Sequence, residues 1–260
     1  MTSPVPTAED YNRIYTRKQR PTILDKIEEG VVDDPEITAL KCTGFLGPGD
    51  RDYIRDLLRN SLIKPNGAGV LLDLGCGTGL LGAWMAAQLR ADLVAIDFST
   101  VAISIARRLT ADYETVKRTF RTASFDATDL EDRSITAAFS LDALYLANDP
   151  MASLKELHRV MVPGAPLVFT YYLHGQDRLD WSQLTREAGL NVLAVADLTA
   201  NWRTRMKKKH LRRWARRHAI KKELGQDALP ELSVTESMLG LRGRASFIES
   251  TVRHLIHASR

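Results

Sequence analysis

The sequence predicts an α/β fold built on a largely parallel sheet. Three observations carry that prediction. Short apolar runs alternate with amphipathic stretches through the middle of the chain, the pattern of strands joined by crossover helices. The first run, Val70–Leu74, stops at Gly75 and opens into a loop with glycine at alternate positions. An acid, Asp97, stands 22 residues after Gly75, at the end of the next apolar run.

Val70–Leu74 reads as a buried strand, and Leu80–Leu89, rich in Ala, Leu and Met, as the helix after the loop. Leu93–Ile96 is the next strand. Ser99 is placed to cap a helix through Leu109, its hydroxyl accepting an orphan backbone N–H. Further strands are predicted near Arg118–Ser124, Ile135–Leu141 and Leu167–Tyr172, with a helix over Met151–Met161 stopped by Pro163-Gly164. A helix over Trp181–Ala188 ends at Gly189, Val192–Val195 follows as a strand, and a strand around His254–Ala258 closes the set. Residues 1–68 hold helical stretches interrupted by Pro21, Pro35, Pro48 and Pro65. Residues 199–245 are an insertion before the last strand, mostly helical with a break over Gly225–Pro230. The expected organisation is one core, 69–198 and 246–260, with an N-terminal helical cover, 1–68, and a helical cap, 199–245, over the site.

With 260 residues, 44% hydrophobic and 26% charged, the chain can bury a core and is neither fibrous nor mainly disordered. Two cysteines, Cys42 and Cys76, exclude a disulfide framework and point to a reducing compartment, hence the cytoplasm. No apolar run approaches the roughly 20 residues of a transmembrane helix. Met1–Asp10 lacks the apolar region of a signal peptide. The 6 histidines show no compact ligand motif with cysteines or acids, so no metal is expected. His254 and His257 are three apart in a predicted strand, which sets them on opposite faces.

The loop Gly75-Cys76-Gly77-Thr78-Gly79 lets a ligand approach the main chain closely, at the carboxyl edge where such sheets bind nucleotides. Asp97, on the neighbouring strand, is placed to accept hydrogen bonds from both hydroxyls of a ribose. A dinucleotide is the competing ligand, but its loop is G-x-G-x-x-G and wraps a pyrophosphate. Here the loop is G-x-G-x-G, and Asp73 precedes it by two residues. That carboxylate would repel a pyrophosphate and suits a ligand carrying an ammonium or sulfonium.

In these residues the sequence resembles the class I S-adenosyl-L-methionine-dependent methyltransferases. Leu71-Leu72-Asp73-Leu74-Gly75-Cys76-Gly77-Thr78-Gly79 resembles the family's glycine-rich first motif. Val94-Ala95-Ile96-Asp97-Phe98-Ser99 resembles the second, in which the acid holds the ribose and the next residue packs on adenine. Ser124-Phe125-Asp126-Ala127 resembles the segment that contacts the adenine amino group through positions matching Asp126 and Ala127. Ala138-Phe139-Ser140-Leu141-Asp142-Ala143 resembles the fourth motif, under the methionine part. Leu157-His158-Arg159-Val160-Met161-Val162-Pro163-Gly164 resembles the turn before the fifth strand, with Ala165 where the family has a second glycine. The resemblance covers roughly residues 65–198 and implies a Rossmann-like, mainly parallel seven-stranded sheet whose closing strand is antiparallel. It assigns Asp73, Gly75, Cys76, Gly77, Gly79, Asp97, Phe98, Asp126, Ala127 and Ser140 to the cofactor. Tyr11 in the N-terminal cover resembles the aromatic that closes over it.

Methyl transfer asks mainly for alignment and exclusion of water, with a general base only where the acceptor must lose a proton. His174, after the strand Leu167–Tyr172, is the candidate base, or an ordinary loop histidine. Tyr171 and Tyr172 are candidates for the acceptor pocket, with one of the two turned to the sheet's flank because strand side chains alternate. Asp142 and Tyr145 follow the fourth motif and are placed to face the acceptor, although Asp142 equally suits a turn cap. Tyr15 lies four residues from Tyr11 on the same helix face. Thr43-Gly44-Phe45-Leu46-Gly47 is an apolar patch, either near the methionine tail or an anchor for the cover.

Residues 201–222 hold eleven of the 36 Lys and Arg and no acid, so the remaining chain is net acidic. Trp202, Met206, His210, Trp214 and His218 recur every four residues, predicting one basic helix with an aromatic face on the core. Trp202 and Trp214 are then candidates for the roof of the acceptor pocket. The charges suit a solvated face, an anionic small acceptor, an acidic carrier protein presenting the acceptor, or nucleic acid, with a membrane surface last. The expected function is methylation of O, N or C on a small metabolite, since the long cap resembles that of enzymes acting on small molecules, natural products included. The alternatives are an RNA methyltransferase using the helix 201–222 and a catalytically silent S-adenosylmethionine-binding partner protein.

Overall fold

The computed structural model describes residues 7–17, 22–41, 46–47, 49–59, 63–64, 67–112, 117–175, 179–243 and 245–260. The N-terminal region supplies α1 (Ala8–Arg17), α2 (Ile23–Glu28), α3 (Pro35–Ala39) and α4 (Asp50–Arg59), then a short hairpin of β1 (Ile63–Lys64) and β2 (Gly67–Ala68). The core continues as β3 (Val70–Leu74), α5 (Leu80–Leu89), β4 (Asp92–Asp97), α6 (Thr100–Leu109), β5 (Arg118–Thr122) and β6 (Ala137–Ser140). Then come α7 (Pro150–Val160), β7 (Pro166–His174), α8 (Trp181–Glu187) and β8 (Asn191–Asp197). Three helices, α9 (Thr199–Ala215), α10 (Arg217–Leu224) and α11 (Ala228–Leu239), separate β8 from β9 (Thr251–Ser259).

The strands form one seven-stranded sheet in the order β5-β4-β3-β6-β7-β9-β8. The first five are parallel, and β9 runs antiparallel to both β7 and β8. The fold is therefore the Rossmann-like α/β architecture expected from the sequence. β9 begins at Thr251, three residues before the predicted strand.

Strand alternation sends neighbouring side chains to opposite flanks. Leu71, Phe139, Val168 and Leu255 join α5 and α6 on one side, together with Ile37, Leu46, Ile54 and Leu58 of the cover. Leu72, Leu74, Phe169 and Ile256 meet Leu154, Leu157, Val160 and Trp181 on the other. Burying both faces explains why the central strands read as continuous apolar runs. Ser99 caps α6 as predicted, accepting the N–H of Ala102 at 3.1 Å.

The basic segment departs from the predicted single helix. It turns at Arg216, between α9 and α10. Its buried stripe also differs. Four residues overshoot one 3.6-residue turn by about 40°, so a strict every-four row walks off a face. Trp202, Met206 and His210 are buried, but Trp214 is only half-buried and His218 is exposed, and Arg205 and Arg213 turn inward in their place. Arg205 pairs with Asp50 at 3.3 Å, and Lys209 reaches Glu28 at 2.9 Å. Arg213 bridges Glu28 at 2.5 Å and Glu231 at 3.2 Å. Burial alone would raise the Glu28 carboxyl, but the Lys209 and Arg213 charges beside it pull it down to about 2. These contacts clamp the cap to the cover. No helix among the described residues is long and apolar enough to cross a membrane.

Candidate active site

A cavity of about 330 Å³ opens at the carboxyl ends of β3, β4 and β6, within the size range of small-molecule sites. Its floor is the glycine loop. Gly75 N–H and Cys76 N–H both donate to the Ile96 carbonyl, at 2.8 and 2.9 Å, which ties the loop to β4. Gly75 has φ +85° and Gly77 φ +53°, in the left-handed region that favours glycine. A Cβ on Gly75 would lie 2.3 Å from the Ala143 methyl, and one on Gly77 would lie 2.6 Å from the Tyr15 hydroxyl oxygen.

Two buried carboxylates face this floor. Asp97 Oδ2 accepts from Gly77 N–H and Oδ1 from Ser99 N–H, both at 2.9 Å. Each oxygen keeps a further lone pair, so a fixed carboxylate remains able to accept two hydroxyls. Burial raises its pKa against the lowering effect of those two N–H bonds. Asp73 lies against the helix start, where a Cβ on Gly82 would come within 2.4 Å of Oδ2. Burial first, and the Asp97 charge second, push the Asp73 carboxyl well above its ordinary value. The Cys76 thiol is raised by burial and by both acids.

The cover helix α1 closes one side. Its Asn12 Oδ1 accepts from Ser99 Oγ at 2.6 Å and from Val101 N–H at 3.3 Å, which seats the helix on the start of α6. Tyr11 then meets the Phe98 ring at 5.0 Å, and Tyr15 stands over Gly77. Burial raises both phenols, Tyr11 to about 12, so both stay protonated.

The cavity wall includes Tyr11, Tyr15, Asp73, Gly75, Cys76, Gly77, Asp97, Phe98, Asp126 and Asp142 from the predicted set. The other candidates lie elsewhere. Gly79 packs under the loop, where a Cβ would meet Ala106 and Phe120. Ser140 is a strut, donating to the Leu74 carbonyl at 2.7 Å and accepting Leu144 N–H at 3.1 Å. Ala127 is exposed beside Asp126, outside the wall.

The acceptor candidates also divide. Tyr171 faces the far flank, with Trp181 at 5.7 Å, because it shares a strand face with Phe169. Tyr172 and Tyr145 stand behind the wall, their rings edge to face at 5.1 Å. Trp202 is buried against Tyr172 at 5.2 Å, one layer further back. Trp214 is half-buried with Arg217 over its ring at 4.9 Å, far round the helix from this roof.

His174 lies outside the cavity wall. It is exposed, stacked on Phe247 at 4.3 Å, with Nδ1 2.8 Å from Thr251 Oγ1. β7 runs on to His174, four residues past Thr170, which carries the imidazole about 13 Å along the strand from the level of Asp142. Of the apolar patch, Thr43, Gly44 and Phe45 lie outside the described residues, as does Cys42. Leu46 is buried in the main core, the anchor alternative.

Sequence reasoning missed Lys41, which lines the cavity and has φ +55°, and gave no signal for it. It also missed Arg253. Its signal was a lone arginine at an inward position of a strand, beside buried Thr251 and Leu255.

Residues 72–169 match the family described as the methyltransferase domain. An O-methyltransferase of Pyrenophora dematioidea is 31% identical over 106 residues, 40% of this chain and 40% of its own. The chain thus spans about two fifths of that relative. A Haemonchus contortus phosphoethanolamine N-methyltransferase, solved with phosphomonomethylethanolamine and S-adenosylhomocysteine, has TM-score 0.67 at 16% identity over 98% of this chain and 60% of that one. The cyclase SpnF has TM-score 0.65 at 20% identity over 80% of both chains.

Proposed function

We propose that this chain is a class I S-adenosyl-L-methionine-dependent methyltransferase that methylates an O, N or C nucleophile of a small metabolite. The carrying observation is a cavity that buries two mutually repelling carboxylates, Asp73 and Asp97, above a glycine floor. Such a site suits a ligand with a cationic amino-acid end and a ribose, because the cation relieves the repulsion. Asp97 would take the ribose hydroxyls through its remaining lone pairs. Asp73 and the Gly75–Gly77 backbone would face the methionine end. Phe98, Tyr11 and Asp126 would bracket the adenine.

When bound, S-adenosyl-L-methionine supplies a methyl already activated by a sulfonium. The chain's residues align and shield. Tyr11 and Tyr15 roof the cavity and keep water from it, and their phenols hold their protons and donate hydrogen bonds. No described histidine lines the cavity, so the alignment of the acceptor is what this chain contributes. In this reading residues 1–68 cover the cofactor side and 199–245 cap the acceptor side. A role in natural-product metabolism rests on the resemblance of the long cap to that of enzymes acting on small molecules, and cytoplasmic placement rests on the cysteine usage.

Two alternatives are weaker. RNA binding by the basic helices loses force because Arg205, Lys209 and Arg213 pair inward, and Arg212 donates to the Gly30 carbonyl at 2.7 Å. A catalytically silent binding protein would share the cofactor geometry and differ only in transferring no methyl group. Calorimetric titration with S-adenosylmethionine, S-adenosylhomocysteine and NAD tests the reading. Binding of the first two alone is expected, and binding of NAD alone overturns it.

A further inference from the structure

The order of strands fixes the order of groups along the sheet's carboxyl edge. Asp126 follows β5, Asp97 ends β4, the glycine loop follows β3, and Asp142 follows β6. Tyr172 and Arg253 come next, on β7 and β9. The end of the cavity beyond the glycine loop therefore carries Asp142 on its wall, backed by two strands the sequence motifs do not reach.

Asp142 is held by three residues, Thr170, Arg253 and Tyr172. Its backbone lies at φ +53°, a conformation aspartate tolerates better than most residues but adopts rarely. Its N–H donates to Thr170 Oγ1, and that hydroxyl donates back to Oδ1, both at 2.7 Å. Arg253 Nε and Nη2 donate to the same Oδ1 at 3.1 and 2.9 Å. The Tyr172 hydroxyl donates to Oδ2 at 2.7 Å. Oδ1 is thus fully engaged, while Oδ2 keeps a lone pair for the cavity.

Arg253 is completely buried, and its Nη1 has no hydrogen-bond partner among the described residues. A buried ion pair contributes little net stability, since apolar side chains of the same volume do as well or better. Its worth is geometric: a planar two-donor grip that fixes one carboxylate oxygen.

We propose that Asp142 holds the methyl acceptor and that Arg253 is its positioning residue, so that the acceptor presents a hydrogen-bond-donating head, an amine or a hydroxyl, rather than a carboxylate. This rests on the proposed methyltransferase reading of the cavity. Asp142 Oδ2 accepts the N–H or O–H of the acceptor and so orients the same heteroatom's lone pair. An anionic head would meet Asp142 Oδ2 at contact, in a wall whose carboxyls, Asp73, Asp97, Asp126 and Asp142, outnumber the cations, Lys41 on the wall and Arg253 behind Asp142. The anionic acceptor suggested by the basic helices is therefore disfavoured, because Asp142 occupies the acceptor end.

The test is calorimetry on the full chain, first titrated with S-adenosylhomocysteine and then, saturated, with phenethylamine, 4-cresol and phenylacetate. The amine or the phenol should bind at least about ten-fold more tightly than phenylacetate. Asp142→Asn should abolish that preference. Arg253→Lys, which keeps a cation but loses the two-donor grip, should cut it several-fold with an unchanged melting temperature. Both variants should keep the parent's S-adenosylhomocysteine affinity, a split that a general loss of structure would not give. Equal or tighter binding of phenylacetate, binding of no probe, or an unchanged preference in folded Asp142→Asn overturns the proposal. An unchanged preference in folded Arg253→Lys removes the role of Arg253. Failure of the wild type to bind S-adenosylhomocysteine shows in the first titration, and overturns the function with the inference.

Discussion

Gly77→Ala tests whether the N-terminal cover is part of the cofactor site. The substitution has two separable effects. An L residue in the left-handed region costs about 1–2 kcal/mol, and Gly77 has φ +53°. The new methyl would also lie 2.6 Å from the Tyr15 hydroxyl oxygen, with the next ring atom, Cζ, at an ordinary 3.6 Å. Tyr15→Phe removes only the offending oxygen. The double variant should then recover the steric part, about 1 kcal/mol of coupling, while keeping the backbone strain. S-adenosylhomocysteine affinity by calorimetry, with melting temperatures alongside, completes the double-mutant cycle. Additivity within about 0.5 kcal/mol would refute the reasoning, since it would mean that Tyr15 does not sit over Gly77.

Asp97→Ala should weaken S-adenosylhomocysteine binding by a few kcal/mol, because two hydrogen bonds to a charged group contribute roughly 1.5–3 kcal/mol each. Unchanged affinity in a folded variant would displace the ribose from Asp97. Gly75→Ala should be harsher than Gly77→Ala, since its Cβ would lie 2.3 Å from a methyl on Ala143 that has no rotamer to escape into. Calorimetry of the two variants side by side checks the ranking. Glu28 predicts acid sensitivity. Its folded pKa is depressed from 4.5 to about 2, so its stabilisation is complete above pH 4.5 and is lost as pH falls toward 2. The loss is on the order of 3 kcal/mol. Melting temperatures of wild type and Glu28→Gln should therefore converge across that window, and parallel curves would remove Glu28 from the clamp.

The glycine loop and Asp97 were legible because their demands are local. Glycines at positive φ and an acid one strand later are written into about thirty consecutive residues. Alternation likewise announced that Tyr171 or Tyr172 must turn away, but not which one, because that depends on the register of β7 against β6 and β9. Trp214 misled through arithmetic, since an every-four row drifts around a helix. His174 is carried off the cavity wall by strand length, because β7 continues past the level of Asp142. Ser140 sat in the right motif yet serves the Leu74 carbonyl. Arg253 was least legible. Its partner Asp142 is 111 residues away in the chain, and only the insertion of β9 between β7 and β8 brings the two together.

That insertion gives the two ends of the cavity different folding histories. Asp73, the glycine loop, Asp97 and Asp126 come from adjacent parallel strands with short intervening segments. The grip on Asp142 closes a loop more than a hundred residues long, around the whole helical cap. Loop closure of that length is slower and entropically dearer than the pairing of β3 with β4. The cofactor half of the cavity can therefore assemble while the acceptor half is still open. On the proposed reading, partial unfolding that frees β9 would leave a chain still able to bind S-adenosyl-L-methionine but no longer able to choose its acceptor.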